Sequence, residues 1–92
     1  MCRNIRPLFN FAPPATDEEV HAAALQFVRK VSGTRKPSGK NILTFDEAVA
    51  EVTAITRKLV DSLETSAPPK DRQVEAKKAL ARAAQRYATP RE

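Results

Sequence analysis

The sequence predicts an all-α fold: a three-helix bundle with an extended N-terminal arm packed across it. Three observations carry that reading. Apolar residues recur at helical spacing in three stretches, at about 17–32, 42–65 and 71–88. Each stretch is preceded by a capping residue and followed by glycine or proline. No strand pattern appears, unless the N-terminal arm pairs with something. Ninety-two residues suit a single helical domain, 1–92, burying roughly 60–70% of its unfolded surface.

The arm, residues 1–15, holds Ile5, Leu8, Phe9 and Phe11. These are too apolar for a free tail in water, so the arm is expected to lie across the helices. Thr16 and Glu19 form the S/T-x-x-E capping box, and Asp17, Glu18 and Glu19 suit the positive end of the first helix dipole. Val20, Ala23, Ala24, Phe27, Val28 and Val31 then mark one helical face, and Gly33 supplies a left-handed stop. Residues 32–41 read as a loop carrying both glycines. The second helix starts between residues 38 and 44. Thr44–Glu47 is a second capping box, while Asn41 as the cap would bring Ile42 into the helix. Phe45, Ala48, Val49, Val52, Ile55, Leu59, Val60 and Leu63 give its apolar stripe. Pro68 and Pro69 end it. Asp71 or Ser66 caps the third helix, whose inner face is Ala76, Ala79, Leu80, Ala83 and Tyr87.

Two stretches of this pattern, with the opening of the chain, also identify it by resemblance. Met1-Cys2-Arg3-Asn4-Ile5-Arg6, Leu8-Phe9-Asn10-Phe11 and residues 13–19 (Pro-Pro-Ala-Thr-Asp-Glu-Glu) are joined by residues 29–33 and by Ala67-Pro68-Pro69 with Asp71-Arg72. Together these strings resemble an uncharacterised bacterial family, a domain of unknown function whose short members begin Met-Cys-Arg-Asn-Ile. The resemblance spans nearly the whole chain. Ala12 departs from it, since an acidic residue is common there. It implies no catalytic residue, cofactor or partner.

The formal charge is +5 and the pI about 9.8. Residues 29–40 carry +5 with no acid, and residues 70–92 carry +4, whereas 17–19 and 46–64 each come to −3. Positive charge is thus gathered in one loop and one helix. There is one cysteine, hence no internal disulfide, no apolar run of about 18 residues and no signal-peptide core. A reducing cytoplasm is the expected compartment, with no membrane partner.

Cys2 is the candidate for chemistry. Removal of Met1 would leave its thiol and α-amine on one residue, with Arg3 and Arg6 near enough in sequence to lower the thiol pKa. A small apolar residue tucked under the arm is the plain alternative. Amidotransferases with an N-terminal cysteine open Met-Cys-Gly on a large layered sheet, and Arg3 and the short chain exclude that class. His21 is the only histidine and sits one turn after Asp17, as a solvated surface histidine would. One Cys and one His fall short of a metal-ligand set, so no metal or other cofactor is expected.

The anion-binding candidates are Arg29, Lys30, Arg35, Lys36 and Lys40 in the loop, and Lys77, Lys78, Arg82 and Arg86 on the third helix. Ser32, Thr34 and Ser38 could add neutral donors to phosphate oxygens. The loop lacks the order of a phosphate-binding loop, and either segment could equally be a solvated face. With few aromatics for stacking, binding to nucleic acid would be dominated by the backbone and sensitive to salt. Asp46, Glu47, Glu51, Asp61 and Glu64 read as a polar outer face, with Arg57 pairing Asp61. Three readings follow: a non-catalytic module for an anionic partner such as nucleic acid, a protein-interaction or self-assembly module forming a homo-oligomer, and a thiol-dependent enzyme or redox sensor using Cys2.

Overall fold

The computed structural model describes residues 5–88, with side chains as far as residue 85. Three helices occupy the predicted stretches: α1, Asp17–Ser32; α2, Ile42–Ser62; and α3, Arg72–Ala88. Two two-residue strands, β1 (Phe11–Ala12) and β2 (Lys70–Asp71), pair in parallel just before α1 and α3, with Phe11 opposite Lys70 and Ala12 opposite Asp71. The sequence reading allowed the arm to pair with something but named no partner strand for it.

The ends of α1 follow the expected chemistry. The Glu19 amide donates to Thr16 Oγ1 at 3.1 Å, and the Thr16 amide donates to Glu19 Oε1 at 2.8 Å, closing the capping box. Gly33 ends the helix at φ 76°, its N–H donating to the Arg29 carbonyl. A single 3₁₀ turn, Gly39–Asn41, leads into α2. Asn41 places Ile42 in the helix, but its side chain donates to Ser38 Oγ and caps nothing, so the Thr44 capping box is unused. Helix α2 stops at Ser62, three residues short of the predicted 65, because Leu63 turns extended. Asp71 Oδ1 caps α3, accepting from the amides of Gln73 and Val74 at 2.8 and 3.0 Å.

The expected bundle is realised only in its first two members. Helices α1 and α2 pack against each other through Val28, Phe45 and Val49, with Leu25, Ala48 and Val52 beside them; Val20 and Ala24 are fully covered. Helix α3 does not lie in their groove. It meets the rest of the chain near its first turns, and Leu80 is 69% exposed. The radius of gyration is 16.6 Å, against about 12 Å for a compact chain of this length. Parts of both apolar stripes are consequently open: Phe27 is 48%, Val31 71%, Ile55 59% and Leu59 56% exposed. A helix in a three-helix bundle needs an apolar face wide enough for two neighbours, and here each has one neighbour only.

The described part of the arm lies along the α1–α2 hairpin, with Ile5 42% exposed. Leu8, Phe9 and Phe11 are half-buried, with Leu8 and Phe9 over Ala23, Phe27 and Leu59. Asn10 takes a left-handed conformation, φ 67°, its carbonyl accepting from the Lys70 amide at 2.8 Å and its side-chain amide reaching the Pro68 carbonyl at 3.2 Å.

Candidate functional site

Three features of the surface bear on function: a clamp at the base of α3, the basic loop, and the apolar seam between α1 and α2.

The clamp is built from the first turns of α1 and α3. Arg72 Nη1 and Nη2 each lie 2.7 Å from one oxygen of Glu19, a two-bonded pair, and Arg72 Nε donates to the Pro13 carbonyl at 2.7 Å. Planar guanidinium and carboxylate match each other in this way, which adds direction as well as strength. Arg6 stands 3.9 Å from the same carboxylate. The Arg72 hydrogen bonds first, then the Thr16 amide, hold the Glu19 carboxyl down at about 2, well below its ordinary 4.5. The Phe11 ring lies 5.3 Å from Lys70 Nζ and 5.5 Å from the Arg72 guanidinium, as cation–π pairs do. A second arginine ties the other helix in: Arg57 Nη2 is 2.6 Å from Asp61, as the i,i+4 spacing predicts, and Nη1 reaches the Ala15 carbonyl and Asp17. The clamp fixes the base of α3 beside the start of α1, while Arg6 and Asp17 at its edge keep largely exposed side chains.

The basic residues fall into two groups that grow from opposite ends of α1. Arg29, Lys30 and Arg35 line one hollow of about 520 Å³ with Gln26, Gly33 and Thr34. Arg29 Nε is spent on the Arg35 carbonyl. Two of the three hydroxyls read as phosphate donors bond the loop's own backbone, Thr34 Oγ1 donating to the Lys36 carbonyl and Ser32 Oγ lying within reach of the Arg29 and Thr34 carbonyls, while exposed Ser38 Oγ accepts from the Asn41 side chain. Lys36 borders the apolar seam instead, and Lys40 is exposed on the 3₁₀ turn. On α3, Lys77, Lys78 and Arg82 are exposed, with Lys78 3.4 Å from Glu75. The Arg86 and Tyr87 side chains and Cys2 lie outside the described residues. His21 is exposed, and Asp17, one helical turn before it, pairs with Arg57. Among the described residues no cluster of three or more metal-ligating side chains occurs, and no helix is long and apolar enough to cross a membrane.

The seam is the feature that sequence reasoning missed. It runs along one side of the hairpin. Its loop end is a hollow of about 710 Å³ lined by Phe27, Val31, Phe45 and Val52 and rimmed by Lys36 and Asn41. Its other end, sharing Phe27 and Val52, is roofed by Ile5, Leu8 and Phe9 of the arm. The signal was present as the excess width of the apolar stripes, which the expectation of an intrachain bundle absorbed.

A small helical hairpin with a latched third helix is the class of protein these features define. The chain belongs to the uncharacterized conserved protein family DUF2277, which it matches over residues 1–78, from the arm to the second turn of α3. No curated protein and no solved structure matches it.

Proposed function

We propose that the chain is a binding module whose working surface is the apolar seam between α1 and α2, which takes a protein partner. The observation that carries this is the exposure of Phe27 and Val31, which line one hollow with Phe45 and Val52, beside the buried Val28, Phe45 and Val49; Ile42, Leu43, Ile55, Leu59 and Leu63 of the hairpin are exposed as well. Contiguous apolar surface on a small soluble chain is costly in water and marks an interaction site. The test is the stability of the dilute monomer carrying Val31→Gln, at the end of the seam that the arm does not roof. A side chain that awaits a partner leaves folding unchanged to within about 0.5 kcal/mol. A loss of about 2 kcal/mol or more would mean that the seam is covered within a single chain, and the reading fails.

A second reading keeps the anionic partner, nucleic acid or another polyanion. Its support is the gathering of Arg29, Lys30 and Arg35 around one hollow. Against it stand the separate roots of the two basic segments and the bonding of the Ser32 and Thr34 hydroxyls to the loop's own backbone. Polarisation titration with DNA and RNA at two salt concentrations decides it: binding at low salt that falls steeply with added salt supports the reading, and no binding at low salt removes it.

A further inference from the structure

We propose that the looped tip of the α1–α2 hairpin docks on the surface of an anionic lipid bilayer. Val31, Ile42 and Leu43 enter the interface, and the bases around them meet lipid phosphates. This surface goes beyond the seam, with which it shares Val31 and Lys36.

The first observation is that large apolar residues and unpaired bases coincide at this end. Val31 stands in the last turn of α1, and Ile42 and Leu43 open α2, so all three lie where the loop joins the helices. All are exposed, Leu43 by 70%. The same end carries Arg29, Lys30, Arg35, Lys36 and Lys40. Among the described residues none of these five pairs with a carboxylate, whereas Arg6, Arg57, Arg72 and Lys78 elsewhere all do. The nearest acids in sequence, Asp46 and Glu47, sit about one turn further along α2, roughly 5 Å behind the tip. Counting them, five bases against two acids leave +3 over residues 29–47.

The second observation is that the loop answers its own polar groups. Thr34 Oγ1 donates to the Lys36 carbonyl and accepts from the Lys36 amide. The Asn41 amide donates to the Ser38 carbonyl, and the Asn41 side chain to Ser38 Oγ. Polar groups bonded in this way lose less on leaving water. The same bonds draw the Ser32 and Thr34 hydroxyls away from nucleic-acid phosphates. Arg29 uses Nε on the Arg35 carbonyl, which leaves its terminal nitrogens for an outside anion.

Attachment to a membrane surface takes two signals, one apolar and one cationic, and anionic headgroups attract clustered lysine and arginine. The tip supplies both. Helix α3 supplies them more weakly: Leu80 stands among alanines, and Lys78 beside it pairs with Glu75. The expectation of no membrane partner rested on the lack of a spanning segment, and a surface contact needs none.

Sedimentation of the full chain with phosphatidylcholine vesicles, with and without about one-third phosphatidylglycerol, is the test. Binding to the anionic vesicles should be at least about tenfold tighter than to the neutral ones. Leu43→Ser should weaken it at least about fivefold and leave the circular dichroism unchanged, since Leu43 is exposed. Leu80→Ser should leave binding unchanged. The chain has no tryptophan, so Leu43→Trp reports on the tip alone, and its emission should shift to the blue on anionic vesicles. No binding to anionic vesicles, binding indifferent to Leu43→Ser, binding removed by Leu80→Ser, or sedimentation without a Leu43→Trp shift overturns the proposal. So does low-salt binding to DNA or RNA without binding to vesicles, which assigns the bases to nucleic acid. Leu43 lines neither hollow of the seam, so each of these results leaves the seam's own test at Val31→Gln standing.

Discussion

Helices α2 and α3 both carry an apolar stripe and a charged outer face, yet one is half covered and the other nearly bare. In α2, Phe45 and Val49 are buried against Val28. In α3 the corresponding large residue, Leu80, stands in solvent. The difference lies in what ties each to α1. Helix α2 is joined along its length by apolar contact, which is non-directional and grows with area. Helix α3 is joined at its base by directed hydrogen bonds, which fix an angle without covering a face. An amphipathic pattern therefore says that a face needs covering and leaves open which element covers it.

The contrast can be broken first where it is strongest. Phe45→Ala should cost about 3 kcal/mol, since it empties the centre of the cluster it forms with Val28 and Val49; chemical denaturation followed by circular dichroism measures it. In a domain this small such a loss takes most of the stability, and a loss under about 1 kcal/mol would deny that α1 and α2 form the core. The clamp comes next. The Glu19 carboxyl is lowered in the folded chain, from 4.5 to about 2. Its contribution is thus complete above about pH 4.5 and is lost as pH falls through about 2. Solvent screening at this partly exposed pair reduces the contribution to about 1 kcal/mol. Glu19→Gln should remove that part of the acid sensitivity and speed amide exchange in α3 while sparing the interior of α2. Equal acid profiles for the two chains would show that the pair holds nothing. The smallest effect is expected at Val31→Ser, within about 0.5 kcal/mol in the monomer, because Val31 is already 71% exposed.

The helices were legible because their signals are local. Thr16 and Glu19 are three residues apart, Gly33 closes α1 where the apolar spacing stops, and Asp71 caps α3 through amides two and three residues on. The pairing of Arg57 with Asp61 was legible for the same reason. Arg72 was not. Its partner Glu19 is 53 positions away, and in the sequence it is one of seven bases in a basic segment. The β1–β2 bridge joins residues 59 apart, and two-residue strands leave no alternation to detect. Of the site, the charged residues were readable by type, but which of them share a hollow depends on the turn after Gly33. The seam was written in the stripes, and only the trajectory of α3 reveals that it stays open.

Glu19 serves both the Thr16 amide and Arg72. The direction in which α3 points is thereby inherited from the opening turn of α1, as a lever inherits its aim from its fulcrum. Over a rod of about 25 Å, a tilt of only about 10° at that fulcrum sweeps the far tip through about 4 Å, close to one helical turn.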